Sequence, residues 1–227
     1  MTENFELKVS NLSFRYSNTS RNAFSNINFS ILKGQIICIE GVSGSGKTTL
    51  AEVLMGMHTD YLKGYLEGSI FFNNNDLTDK PIKERALKMG LLFQDAYSYC
   101  FTDNVLDEIV FNAVWQGIDR QIIEEKYKKV AELFNFMELE KKNPLELSHG
   151  SRKILLLSSL LVSDPSIYIL DEVFSSLDEK NIKAVTRIVL EKASEGHSFI
   201  LLEHPGNNYL SYKERINIEH QGEGQHE

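Results

Sequence analysis

The sequence predicts an α/β fold: a parallel sheet at the core, an antiparallel β region at the N-terminal end, and an inserted helical lobe. Three observations carry this prediction. Four short, nearly all-apolar runs, QIICIE (35–40), MGLLFQ (89–94), SIYIL (166–170) and SFILLE (198–203), read as strands buried on both faces. Helical stretches alternate with them, as crossover connections of a parallel sheet require. The first ~35 residues instead alternate, Leu12, Phe14 and Tyr16 and then NINFSI, as strands with one solvated face do.

Each element follows in chain order. QIICIE runs straight into GVSGSGKTT and then a helical stretch from Thr49 to Met57. GSIFFNNNDL (68–77) reads as a strand entering a polar turn, and MGLLFQ as the next buried strand. The middle is helical. Residues 105–116 form one helix ended by Gly117, and Ile123, Tyr127, Val130, Phe134 and Met137 recur at steps of four and three along another. Glu124–Lys128 and Glu125–Lys129 are favourable pairs on its outer side. This places a helical lobe at about 95–150 within a single 1–227 domain, whose core and β subdomain are 1–94 and 151–227. Asp178 caps, and Gly196 ends, the helix between the last two apolar runs.

Composition excludes several roles. At 42% hydrophobic and 25% charged, the 227 residues can bury a full core. A net charge of −8 argues against a nucleic-acid partner, which needs a dense basic face. Cys38 and Cys100 offer neither metal-ligand spacing nor a disulfide framework. MTENFELKVS lacks a basic-then-apolar signal pattern, and the longest apolar run, ILLLSSLLV (154–162), is far short of the ~20 residues that span a bilayer. The expectation is a cytoplasmic chain that reaches a membrane only through a partner.

The chemistry is concentrated in two motifs. GVSGSGKT fits G-x-x-x-x-G-K-[ST], with Gly41, Gly46, Lys47 and Thr48 in the fixed places. Inward-facing amides over Gly41, Ser43, Gly44, Ser45, Gly46 and on to Thr49 would bind phosphate oxygens at a helix N-terminus. Lys47 would reach the β- and γ-phosphates and the Thr48 hydroxyl would bind Mg²⁺. A P-loop NTPase core is therefore expected. In IYILDE, Asp171 and Glu172 stand at the carboxyl end of a buried strand, the edge where open α/β sheets bind ligands. Asp171 suits Mg²⁺ and Glu172 suits orienting or deprotonating an attacking water.

With these motifs in this order, the chain resembles the nucleotide-binding subunit of ABC transporters over nearly its full length. The resemblance implies ATP and Mg²⁺ as cofactors. It implies that Tyr16 of LSFRY stacks on adenine, and that Gln94 of LLFQD contacts Mg²⁺ and couples the site to the helical lobe. Ser148 and Gly150 of LSHGS would cap a second subunit's γ-phosphate, SSLD (175–178) would join the two sites, and His204 of LLEHP would lie against the γ-phosphate. The implied partners are a second ABC ATPase subunit, identical or different, and an integral membrane subunit, with the chain peripheral on the inner face of the membrane.

Within that family, FQDAYSYCFTDNVLDEIVFN (93–112) is similar to the region after the glutamine in energy-coupling-factor importers of vitamins and metal ions, through Phe101, Val105, Asp107, Glu108 and Phe111. AYSYCF would line a groove for a coupling helix. The rivals are a small exporter, for instance of peptides, a non-transport ABC ATPase, and a regulatory nucleotide-binding module.

LSHGS departs from the family's glycine-rich signature at His149 and Ser151. Ser148 and Gly150 preserve the main donors ahead of a helix whose positive end faces the nucleotide. If His149 needed φ > 0, it would cost about 1 kcal/mol or more. Val173 and Phe174 likewise replace the usual proline and threonine after Asp171 and Glu172. A competent but slow ATPase is expected.

Overall fold

The computed structural model describes residues 5–95, 97–206 and 209–218. Ala96 of AYSYCF and the residues after Ile218 lie outside them.

An antiparallel sheet in the order β2-β1-β4-β5 is built from β1 (Leu7–Tyr16), β2 (Phe24–Ile31), β4 (Gly64–Phe72) and β5 (Asn75–Asp76). A five-stranded sheet in the order β6-β7-β8-β3-β9 is parallel at every pairing. It comprises β3 (Ile36–Glu40), β6 (Met89–Leu92), β7 (Ile167–Asp171), β8 (Ser198–Glu203) and β9 (Glu214–Asn217). Helices α1 (Lys47–Leu54), α2 (Ile82–Arg85), α3 (Val105–Trp115), α4 (Arg120–Leu133), α5 (His149–Ser163) and α6 (Glu179–Ser194) complete it.

The parallel sheet divides two cores, which is why its strands read as unbroken apolar runs. Ile37, Ile39, Ile167, Ile169, Ile200 and Leu202 pack with α1 and the antiparallel sheet. Their alternates Tyr168, Leu170, Phe199 and Leu201 pack with α3, α4, α5 and α6. Successive residues of a strand face opposite sides, so both faces of this sheet are covered. In the antiparallel sheet, β1 shows the alternation expected of a half-solvated strand: Leu12 and Phe14 are buried while Asn11 is exposed.

Element ends differ from expectation where backbone chemistry intervenes. The helix expected at 49–57 runs Lys47–Leu54, because Gly56 turns left-handed at φ 85° and Met57 begins a separate 3₁₀ turn. The apolar stripe expected to reach Met137 ends at Phe134. Asn135 takes φ 58°, breaking the helix, and Met137 is exposed. Asp178 does cap α6, accepting from the Asn181 amide, and Gly196 follows it at φ 101°. Helix α5 crosses the junction expected at 150/151 and packs mainly on α3 and α4.

Candidate functional site

The carboxyl ends of β3, β7 and β8 lie in register. Glu40 pairs with Glu203, and Asp171 with Leu202. The segments leaving them bring together three pieces of sequence that are far apart: the glycine-rich loop after Glu40, Glu172 after β7, and His204 after β8. Open α/β sheets bind ligands at this edge.

The loop is shaped by what its glycines must avoid. Gly46 caps α1 at φ 96°, and a Cβ there would stand 2.2 Å from the Ala23 carbonyl oxygen. No side chain fits, so the β1–β2 connection presses directly on the loop. Lys47 is buried, and its ammonium donates to the carbonyls of Gly41 (2.6 Å) and Val42 (3.2 Å). The Thr48 hydroxyl donates to Asp171 Oδ2 at 2.7 Å, joining loop to β7. Asp171 is almost fully buried, and burial pushes its carboxyl above the ordinary range against the pull of the Thr48 bond. Its other oxygen, Oδ1, is buried and has no hydrogen-bond partner among the described residues. A bare carboxylate oxygen beside a hydroxyl is a donor set that suits a hard cation such as Mg²⁺. Among the described residues no group of three or more His, Cys, Asp or Glu could hold a metal ion.

Glu172 is held from two sides. Gln94 Nε2 donates to Oε2 at 2.9 Å, and His204 Nε2 lies 2.9 Å from Oε1. The Glu172 backbone is left-handed, at φ 49°. Such a conformation costs roughly 1–2 kcal/mol in a residue other than glycine and persists only where its surroundings enforce it. Tyr16 stands over the loop: its ring meets Phe14 edge-on at 5.1 Å and its hydroxyl is 2.9 Å from Thr49 Oγ1.

One open cleft of about 620 Å³ is walled by Tyr16, Ser43, Gly44, Gly46 to Thr49, Gln94 and Glu172, while Asp171 and His204 are not in its lining and reach it through Thr48 and Glu172. The remaining wall is residues 18–23 of the β1–β2 connection, with Arg21 and Asn22 among them. Sequence reasoning passed over that polar turn, because nothing in its composition separates it from an ordinary hairpin loop. Gly41 and Ser45 stand behind the loop: both are buried, and a Cβ on Gly41 would fall 2.3 Å from the Ser45 hydroxyl.

Ser148 and Gly150 do not join the cleft lining. They open α5 elsewhere, where Ser148 caps the helix by accepting from the Ser151 amide at 3.2 Å. The two hydroxyls lie 2.9 Å apart, so Ser151 serves the cap in place of the glutamine the family would have. His149 is the first helical residue, is exposed, and is not among the residues with positive φ. The strain considered for it is absent. Gly150 is the position that must be small: a Cβ there would come within 2.6 Å of the Ser176 carbonyl oxygen.

A family model described as ABC transporter matches residues 24–175. EcfA1 of Fusobacterium nucleatum, an energy-coupling factor transporter ATP-binding protein, is 32% identical over 92% of this chain and 76% of its own. Protein TTE1589 of Caldanaerobacter subterraneus, which carries an ABC transporter ATP-binding name, is 34% identical over 91% of this chain and 37% of its own. The chain spans about two fifths of the length of this and another of the curated relatives it matches. Among solved structures, cbiO1 from Clostridium perfringens, part of the ABC transporter complex cbiONQ, superposes with a TM-score of 0.72 at 28% identity, covering 89% of this chain and 79% of that one. That family hydrolyses ATP to power transport. With a glycine-rich loop, Asp171, Glu172 and His204 at one sheet edge, and these matches along most of its length, the chain belongs to the ABC transporter family of ATP-binding proteins.

Proposed function

We propose that this chain is the ATP-hydrolysing subunit of a membrane transporter, organised as one ATPase domain with a helical lobe at about 95–150. The observation that carries the reading is that Thr48, Gln94 and Glu172 wall a single cleft, with Asp171 hydrogen-bonded to Thr48, and Gln94 and His204 each 2.9 Å from a Glu172 carboxylate oxygen. The loop amides and Lys47 would bind the phosphates, and Tyr16 would receive the base. Thr48 and Asp171, with Gln94, would hold Mg²⁺, which when bound supplies charge neutralisation at the β- and γ-oxygens. Glu172, oriented by His204 and Gln94, would accept a proton from water in line with the γ-phosphorus.

Ser148 and Gly150 lie off the cleft, which supports a role in trans: in a pair of ABC ATPase subunits, each α5 N-terminus would close on the other's nucleotide. A groove of about 180 Å³ on the lobe, lined by Phe93, Tyr99, Phe101, Phe111 and Leu156, offers an apolar seat for a helix of an integral membrane subunit. Phe101 is 65% exposed and meets Phe111 edge-on, an aromatic pair left open to solvent. Among the described residues no helix is long and apolar enough to cross a membrane, so the chain would sit peripherally on the inner face through such a partner. The similarity to energy-coupling factor transporter ATP-binding proteins supports a transporter of that type, and import of a vitamin or metal ion is the transport class we propose.

Turnover of Mg-ATP by the wild type and by Glu172→Gln, with sedimentation of both, tests this. We expect hydrolysis by the wild type, its loss in the variant, and an ATP-dependent dimer of the variant. No turnover by the wild type, alone or with partner subunits, sinks the reading.

A further inference from the structure

Helix α5 carries a charge where its neighbours are apolar. Lys153 is fully buried, in a turn shared with Ile154, Leu155 and Leu157. Taking an ammonium out of water costs several kcal/mol unless hydrogen bonds compensate, and a site needing only volume would hold another leucine. The compensation here is specific. Lys153 Nζ donates to the Glu172 carbonyl at 2.8 Å, to the Ser175 carbonyl at 3.3 Å and to Ser175 Oγ at 2.5 Å. The Ser175 hydroxyl in turn donates to the Glu172 carbonyl at 2.8 Å. All of these acceptors belong to the turn that leaves β7.

That turn lacks the rigidity a proline would give it. Val173 and Phe174 occupy its middle, its first residue, Glu172, is left-handed at φ 49°, and Ser176 just beyond it is left-handed at φ 65°. Two backbone bonds help to enforce the shape, from the Glu172 amide to the Leu202 carbonyl (2.9 Å) and from the Ser175 amide to the Glu172 carbonyl (3.0 Å). Neither reaches another helix. Lys153 does: it ties the turn to α5, whose first turn bears Ser148 and Gly150. The same two segments also press together at Gly150 and Ser176. Burial holds the Lys153 ammonium below its ordinary pKa, and the nearby carboxylates of Glu172, Glu203 and Asp171 oppose that shift.

We propose that Lys153 is a positioning residue for Glu172: its ammonium fixes the left-handed turn and makes the aim of the Glu172 carboxylate depend on where the N-terminus of α5 sits. Closure of a subunit pair, with Ser148 on the partner's nucleotide, would then be felt at the water-activating acid of the same subunit through one side chain. This rests on the ATPase reading above, and it assigns a role to a residue outside the cleft.

The test compares wild type, Lys153→Met and Ser175→Ala in full-length protein, measuring kcat and KM for Mg-ATP, binding of a fluorescent ATP analogue, and thermal unfolding. Misplacing a catalytic group by about 1 Å costs on the order of 10²-fold in rate, so Lys153→Met is expected to lose about 10- to 100-fold in kcat with KM and analogue affinity within about twofold. Ser175→Ala, which removes one of the three Lys153 bonds together with the hydroxyl's own bond to the Glu172 carbonyl, is expected to lose less, with the same split. A folded Lys153→Met with wild-type kcat overturns the proposal. So does a variant whose kcat and nucleotide affinity fall together with its Tm, which is the signature of a purely structural lysine. Should Lys153→Met fail to fold, Ser175→Ala decides, and an unaltered kcat there overturns the idea. An inactive wild type would instead count against the ATPase reading, and this proposal falls with it.

Discussion

The imidazole of His204 and the carboxylate of Glu172 meet at 2.9 Å, although they stand 32 positions apart in sequence with the whole of α6 and β8 between them. Parallel pairing of β7 with β8 makes this unavoidable, since Asp171 and Leu202 are register partners and each chain leaves its strand at the same edge. With Gln94 on the other oxygen, Glu172 has little freedom to rotate. On the proposed ATPase reading, Glu172 would thus be aimed before any substrate arrives, which is how a general base gains its advantage.

Removing the imidazole should therefore harm chemistry more than binding. In His204→Ala we expect kcat to fall by about 10²-fold or more, the usual scale for losing one side of an acid–base arrangement. Affinity for ATP should change little, because the phosphate loop is untouched. Steady-state kinetics with an equilibrium binding titration checks this, and a KM effect alone would assign His204 to binding.

Gly150→Ala sets two opposing effects against each other. Within a helix the change gains about 1 kcal/mol of propensity. Here the added Cβ would stand 2.6 Å from the Ser176 carbonyl oxygen, a backbone atom with little room to yield, and overpacking costs about 1–3 kcal/mol. The clash should win. The expected result is a lower Tm and a weaker ATP-dependent dimer when combined with Glu172→Gln, read by calorimetry and sedimentation. A higher Tm would show that the contact relaxes freely.

Asp164 supplies a pH-dependent part of the stability. It ends α5 in the left-handed region and receives Lys126 at 2.8 Å and Lys192 at 2.9 Å. Burial alone would raise its pKa, but the two lysine hydrogen bonds, with the charges of Lys192 and His197, bring it down to about 2. A depressed carboxylate stabilises the fold above its unfolded value and loses that contribution as pH falls through the folded one. Between an ordinary 3.8 and about 2, at 1.36 kcal/mol per unit, this is about 2 kcal/mol. Asp164→Asn should be less stable than wild type by that order above about pH 4. The gap should close as pH falls from about 4 towards 2, which denaturant titrations across that range would measure. A gap independent of pH would place the effect in packing.

Which parts of this were legible beforehand follows from the range of the interactions. The four buried strands announced themselves because both faces of the parallel sheet are covered, so no polar residue interrupts them. Lys47, Thr48, Asp171 and Glu172 were found by fixed spacing to a strand end, a local property. The break after Phe134 was not, since an asparagine adopting φ 58° leaves no mark on the apolar period before it. Lys153 was invisible for a different reason. A lysine at the start of an apolar helix reads as a solvated flank, and only the fold brings the 172–175 turn to its ammonium.

His149 is where the sequence departs most visibly from its family, and the geometry fixes what restoring glycine would do. A glycine is irreplaceable where φ is positive or a Cβ has no space. Position 149 meets neither condition, being exposed, first in its helix and on the ordinary side of φ. No strain of 1–2 kcal/mol is stored there for His149→Gly to release, while glycine in a helix gives up about 0.5–1 kcal/mol of chain entropy. The variant should therefore melt at the same temperature or slightly lower, and its ATP turnover should stay within about twofold of wild type, a change of under about 0.5 kcal/mol in barrier. Adding Ser151→Gln should then loosen the Ser148 cap, because the hydroxyl now 2.9 Å from Ser148 Oγ is removed. A rise in turnover of tenfold or more on His149→Gly alone would mean that the histidine obstructs the partner's nucleotide, and that the slow rate expected of this signature is set by side-chain bulk at the closed interface instead of by the backbone of α5.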